Sequence, residues 1–430
     1  MQPQALPGFR DFYPAEFALR RHLFEAWRRV ATRYAFEEYD GPPLEPLELY
    51  TSKSGEEIVG QLYTFIDKGD RAVALRPEMT PTLARMVAAR ANGLKKPIRW
   101  FSIPQLFRYE RQQRGRLREH FQLNCDLIGE AGPLADVEII AVAIDCMREL
   151  GLTERDVRVR VSDRRLLTVL LGEAGLAEPL RPLAFQLLDK LGRGEYTATR
   201  QALLEAGASA GTVGRLESVR ELRQWSDVET AFPLAAGAGE PLRQVFQALD
   251  RMELGAWLDL DLTIVRGLAY YTGTVFELFD AGYSLRAICG GGRYDNLLQA
   301  LGGVDLPALG FGMGDVVLTE LLRERRLVPS FDQRLDVFLA GVTGEDFPHL
   351  LGLARVLRDR GLRVEFPLAE AALGKQLKLA AARQARFAVV VGPDDRARDQ
   401  VVVKELETGR QEAVPQNRLP EMLAAWQTKR

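Results

Sequence analysis

The sequence predicts an α+β protein: an antiparallel-sheet domain over residues 1–330 with a helical insertion at about 164–254, then a smaller α/β unit over 334–430. Three patterns carry that reading. Strand-like runs at 63–66, 72–75, 98–108, 122–128, 262–265, 274–279 and 287–290 recur without regular βαβ spacing. Between them, residues 164–254 are dominated by Leu, Ala, Glu and Arg at helical spacing, broken by glycines, directly after the short alternating strand VRVRV at 157–161. Past the breaker LVPSFDQR the pattern changes to α/β alternation, with strands at 336–342, 363–366, 387–391 and 400–406 and helices at 347–360 and 373–385.

Near the start, residues 15–34 place Phe17, Leu19, Leu23, Trp27, Val30 and Ala31 close to a helical period, and Gly41-Pro42-Pro43 breaks the chain downstream. At 430 residues the chain is too long for one ordinary core, so two to three domains are expected. A hydrophobic share of 47% beside 27% charged residues suits a soluble globular protein and excludes bulk disorder. The net charge of −2 gives no global pull on a polyanion, so any nucleic-acid site must come from local Lys and Arg clusters. Cys125, Cys146 and Cys289 form no CxxC pair, and His22, His120 and His349 complete no metal-ligand spacing; no protein-held metal and a reducing, cytoplasmic setting are expected. No signal-peptide core or membrane-spanning apolar run is visible.

Four segments carry chemistry. The run FRYERQQRGRLREHFQ at 107–122 sets Arg108, Arg111, Arg114, Arg116 and Arg118 around Gly115, which permits a tight turn between strands. Guanidinium groups on such a turn grip phosphates, but the same residues also make a solvated hairpin tip, and local chemistry does not separate the two. In LRPEMTPT, Glu78 and Thr80 follow a strand and suit an ammonium group; the alternative is a proline-containing helix start with acidic capping. VRGLAYYTGTVFE joins Arg266 to Tyr270 and Tyr271, although strand alternation would turn the two rings apart. In AICGGGRYD, Gly290–Gly292 allow close approach of a flat group or mark a bulge, and no P-loop spacing is present.

Taken in order, these segments resemble the class II aminoacyl-tRNA synthetases, specifically the histidyl-tRNA synthetase family, over almost the whole chain. Gly8–Asp11, the long helix and Pro43 are similar to motif 1, which builds the family's dimer interface; FRYERQQRGRLREHFQLNCD is similar to motif 2. The resemblance implies ligation of L-histidine to tRNA(His) through a histidyl-adenylate, ATP with Mg2+ as co-substrate, a homodimer, and a C-terminal anticodon-binding-like domain whose basic side chains include Lys375, Lys378, Arg383 and Arg386. It makes Arg108 and Arg266 the catalytic arginines. Glu78 and Thr80 would hold the α-amino group, Gln122, Asp126, Tyr270 and Tyr271 would surround the substrate, and Asp126 would accept from an imidazole N–H. Arg108, Glu110, Arg116 and His120 would bind ATP, with Glu110 reading adenine.

Three positions depart from the family pattern. Ala269 stands where Asp is frequent, and His120 stands where a stacking Phe is usual, with Phe121 beside it as a substitute. In GFGMGDVVLTELL, which resembles motif 3, Val317 replaces an arginine that grips the ATP tail. Compensation from the motif 2 turn is expected, from Arg116 first. The competing expectation is a non-catalytic paralogue: a regulatory subunit for ATP phosphoribosyltransferase, or a histidine- or tRNA-binding sensor.

Overall fold

A computed structural model describes residues 4–51, 59–110, 113–192, 194, 196–266, 270–331 and 334–427. The chain divides into two compact units, Met1–Pro329 and Ser330–Arg430. In the first, strands β1 (Glu37–Glu38), β2 (Leu44–Pro46), β3 (Thr64–Ile66), β4 (Ala72–Leu75), β5 (Ile98–Ser102), β6 (Gln105–Phe107), β7 (Glu119–Ile128), β8 (Val157–Asp163), β9 (Leu258–Leu260), β10 (Thr274–Asp280), β11 (Cys289–Arg293) and β12 (Ala308–Gly314) form two sheets. The large sheet runs β1-β5-β7-β12-β11-β10-β8-β9, with β6 also on β7; β2-β4-β3 is separate. Its central ladders, β5·β7, β7·β12, β12·β11, β11·β10 and β10·β8, are antiparallel, as expected.

Two strand expectations need correction. Residues 98–108 are not one strand: Pro104 has no N–H for a ladder, and the chain splits there into β5, paired to the second half of β7, and β6, paired to its first half. Residues 262–265 are not a strand either. Asp261 accepts from the Thr263 amide at 3.1 Å and its hydroxyl at 2.7 Å, so an Asx-type turn wins over the local β-propensity; the strand β9 precedes it.

A single helix fixes the underside of the large sheet. Pro133–Glu149 is buried along most of its length, Val137 and Ile139–Ile144 included, the pattern of a helix enclosed on all sides. Below it packs the amphipathic helix Pro14–Arg33 through Leu19, Leu23, Ala26, Trp27, Val30 and Ala31. Strands β8 and β9 pair in parallel, which requires a long crossover. Among the described residues that crossover carries helices and no strand, from Arg164–Glu173 to Glu240–Arg251, and it begins where the Asp163 carboxylate caps the Arg165 and Leu166 amides.

The second unit holds β13 (Val337–Gly341), β14 (Val364–Glu365), β15 (Phe387–Val391), β16 (Gln400–Glu405) and β17 (Gln411–Pro415) in the order β14-β13-β15-β16-β17. The first three are parallel and the last two antiparallel, around a core of its own that includes Val337, Leu339, Leu353, Val389 and Val401. Strand β17 has no counterpart in the sequence expectation, because EAVP is short and largely exposed.

The glycine-rich strand β11 is tied to the central helix by a buried ion pair. Arg293 reaches Asp136 at 2.6 Å and also donates to the Glu130 and Gly132 carbonyls, while both charged side chains are almost fully enclosed. Removing one partner of such a pair strands the other charge. Arg293→Met should therefore lower the urea unfolding stability of the first unit by about 3–5 kcal/mol; a loss below about 1 kcal/mol would contradict this account.

Candidate active site

The upper face of the large sheet is built from polar side chains set against glycines. Along β7, residues Gln122, Asn124 and Asp126 share one face by the two-residue period of a strand, and opposite them β12 carries Gly310, Gly312 and Gly314. A Cβ on Gly310 would lie 2.3 Å from Asp126 Oδ1, and one on Gly312 2.6 Å from Gln122 Cδ. On β11, a Cβ at Gly290 would fall 1.3 Å from Arg266 Nη1. Each functional side chain thus lies across its neighbour strand in space that only a hydrogen leaves open.

These residues line a narrow chamber of about 70 Å³ that gathers Glu78, Thr80, Arg108, Gln122, Asp126, Arg266, Tyr270 and Tyr271, every residue the resemblance points to for histidine. Tyr270 and Tyr271 both reach it, their ring centroids 5.0 Å apart, because β10 starts only at Thr274 and strand alternation does not govern them. Glu78 precedes the helix Thr80–Arg90, whose cap position is Met79 with no side-chain capping bond. Arg108 is tied to the same segment by donating Nε to the Pro77 carbonyl at 2.9 Å. Asn124 and Tyr294 also line the chamber and were missed. Asn124 carried a signal, the alternation Gln122-x-Asn124-x-Asp126; Tyr294, which follows the glycine strand, carried none.

Tyr294 donates its hydroxyl to Asp126 Oδ1. Burial raises the Asp126 carboxyl to about 7, against the lowering effect of that hydrogen bond. Arg266 sits at φ 58, left-handed backbone that is uncommon outside glycine. Its Nη1 meets Glu277 Oε1 at 3.2 Å, its guanidinium lies 5.6 Å from the Tyr271 ring centroid, and its buried Nε has no hydrogen-bond partner among the described residues.

A broader chamber of about 650 Å³ adjoins the first, sharing Arg108, Gln122, Arg266, Gly290 and Gly312 with it, and Glu110, Arg116 and His120 line it. Gly115 turns at φ 74, with Gln113 and Arg116 bridged across the corner. The turn divides its arginines. Arg114 pairs outward with Glu320 and Glu324 of the helix Asp315–Glu324, and Arg116 pairs inward with Glu110. Arg118 lies 4.1 Å from the Tyr109 ring centroid. Arg111 and Ala269 lie outside the described residues. His120, and not Phe121, faces the chamber: Phe121 packs on Phe12 and Phe24 instead. Burial, with Arg108, Arg10 and Arg116 nearby, lowers the His120 imidazole to about 3, so the ring is neutral at physiological pH. Val317 lines the chamber too, with no charge to offer.

An antiparallel sheet with a glycine-floored site, followed by a separate α/β unit, defines the class II aminoacyl-tRNA synthetase architecture. The family model described as histidyl-tRNA synthetase matches residues 8–315, and that described as anticodon binding domain matches 336–426. A histidine–tRNA ligase of Opitutus terrae is 44% identical over 428 residues, covering 98% of both chains. One from Haloarcula marismortui is 40% identical over 97% of this chain and 96% of its own. The chain belongs to the histidyl-tRNA synthetase family. The crystal structure of histidyl-tRNA synthetase from Nostoc sp. PCC 7120 shares the fold, with a TM-score of 0.81 at 24% identity over 98% of this chain and 99% of that one.

Two outcomes follow from this geometry. Gly290→Ala should leave the fold intact yet displace Arg266, lowering kcat/KM for amino-acid activation at least about a hundredfold; activity within a few fold of wild type would show that the guanidinium tolerates displacement. For Asp126, the folded pKa of about 7 lies above the ordinary 3.8, so the folded state holds this proton more tightly and loses stability as pH rises between those values. Asp126→Asn should raise unliganded stability by roughly 2–4 kcal/mol at pH 8 and by nothing measurable near pH 3.5. A gain that is the same at both pH values, by urea titration, would contradict the buried-carboxylate origin.

Proposed function

We propose that the protein ligates L-histidine to tRNA(His) in two steps, activating the amino acid with ATP and passing it to the tRNA. The observation that carries this reading is the junction of the two chambers at Arg108 and Arg266. A carboxylate oxygen of histidine attacks the α-phosphorus of ATP, the bond to the bridging oxygen of the β-phosphate breaks, and pyrophosphate leaves. Both reactants are anionic, and charge builds on the phosphorus as they meet. Arg108 and Arg266 bracket that point and supply fixed positive charge and alignment, with no covalent nucleophile from the protein.

In the narrow chamber, Glu78 and Thr80 hold the α-ammonium group, while Gln122, Tyr270 and Tyr271 enclose the substrate. Asp126 accepts from an imidazole N–H, and its burial gives that contact selectivity over side chains lacking a donor. In the broad chamber, Glu110, held by Arg116, reads the adenine amino group, and the neutral His120 ring stacks on the base. Mg2+ enters with the ATP phosphates as part of the substrate.

The C-terminal unit reads the anticodon end of the tRNA, with Lys375, Lys378, Arg383 and Arg386 available for phosphate contacts. The protein acts as a homodimer through the motif 1 region. It is cytoplasmic, a reading supported by three buried, unlinked cysteines; among the described residues no helix is long and apolar enough to cross a membrane. The regulatory-paralogue alternative is disfavoured because the curated ligases align with this chain through both units.

Histidine-dependent ATP–pyrophosphate exchange and tRNA charging, measured on the full chain and on residues 1–329, test this division. The full chain should perform both and scatter light as a dimer, while the truncated chain should retain exchange within about threefold and lose charging at least about a hundredfold, since the steps depend on different contacts. A full chain that binds histidine but shows no exchange at millimolar ATP would leave the sensor reading standing.

A further inference from the structure

We infer that Arg286 binds the β- and γ-phosphates of ATP in place of the arginine that Val317 replaces, an inference that rests on the broad chamber being the ATP site. Val317 Cγ2 and Arg286 Cδ converge on the same turn: a Cβ built on Gly115 would lie 3.2 Å from the first and 3.7 Å from the second. Both side chains line the broad chamber. The loop between β10 and β11 thus places a guanidinium beside the same glycine that Val317 meets on the helix Asp315–Glu324.

That loop is built to hold its position. The buried Asp280 carboxylate at the end of β10 accepts from the Ser284 amide and hydroxyl at 3.0 Å each and from the Leu285 amide at 2.8 Å. Leu285 is buried, so the residue carrying the guanidinium follows directly on an anchored one. From there Arg286 reaches across the chamber mouth and donates to the side-chain oxygen of Gln113 on the motif 2 turn. A guanidinium carried on an anchored loop at the chamber can fork onto two phosphate oxygens.

The other described arginines of the chamber are placed differently. Arg108 and Arg266 stand at the inner junction with the narrow chamber. Arg116 is engaged by Glu110, and Arg160 lies 3.8 Å from the Tyr283 ring centroid and 3.5 Å from Asp261. Among the described residues, Arg286 is the chamber arginine whose side chain meets the Gly115 turn beside Val317.

The test compares ATP with AMP, which lacks the two outer phosphates, by calorimetric binding to the full-length wild type and to Arg286→Ala, Arg286→Lys and Arg116→Ala. Arg286→Ala should weaken ATP about ten- to a hundredfold and leave AMP and histidine affinity within twofold, and Arg286→Lys should fall between it and wild type. The inference is overturned if Arg286→Ala binds ATP within twofold of wild type, if ATP and AMP weaken together, or if only Arg116→Ala shows the ATP-selective loss. Because binding is read directly, these outcomes are independent of turnover, whereas absent exchange in the wild type would count against the ligase reading alone.

Discussion

The site depends on a steric constraint: three side chains lie flat over neighbouring strands, in space that a β-carbon would occupy. Strands in a sheet sit about 4.8 Å apart, so a side chain that crosses to the next strand meets whatever that strand projects upward. At Gly290, Gly310 and Gly312 it projects only hydrogen, which lets Arg266, Asp126 and Gln122 settle against backbone. Glycine in a strand interior costs backbone entropy and offers no side chain to pack. The opposite face offsets this. Leu123, Cys125, Leu127, Leu309, Phe311 and Met313 face down into the main core, against the buried helix Pro133–Glu149. One side of the sheet carries the stability, which leaves the other side open to substrate.

Burial then sorts the charges. Arg293 and Asp136 neutralise one another beneath the site; Arg266 is held charged beside Glu277, on backbone that L-residues seldom adopt. The Asp126 carboxyl, deprived of water, is raised to about 7 although the Tyr294 hydroxyl donates to it and lowers it. Around His120 the cations act with burial in the same direction and keep the ring uncharged. Groups fixed in this way need little reorganisation when charge develops at the chamber junction, the condition under which electrostatic stabilisation is most effective.

Local pattern set many of the elements. The 3.6-residue period of the first helix, the split between an irregular-strand domain and a true α/β unit, and the turn at Gly115 all follow from short-range rules and can be read in order along the chain. Where reading failed, a local competitor had overridden propensity: Pro104 broke one strand, and the Asp261 carboxylate converted another into a turn. The paired tyrosines reached one chamber because the strand expected to separate them had not yet begun.

The sequence by itself determined which chemistries were present: the arginines of motif 2, the acid and hydroxyl of LRPEMT and the glycines by residue type and spacing, and Gln122 and Asp126 through the family resemblance. Only the tertiary structure decided how they divide the work. Arg114 turned out to Glu320 and Glu324, Arg116 turned in to Glu110, and Arg286, from a different loop, arrived beside Val317. The reason is that spacing along the chain fixes a side chain's face on its own element, whereas its partner is fixed by which other element packs there, and that is set by the register of β7, β12 and β11 and by the helix beneath them.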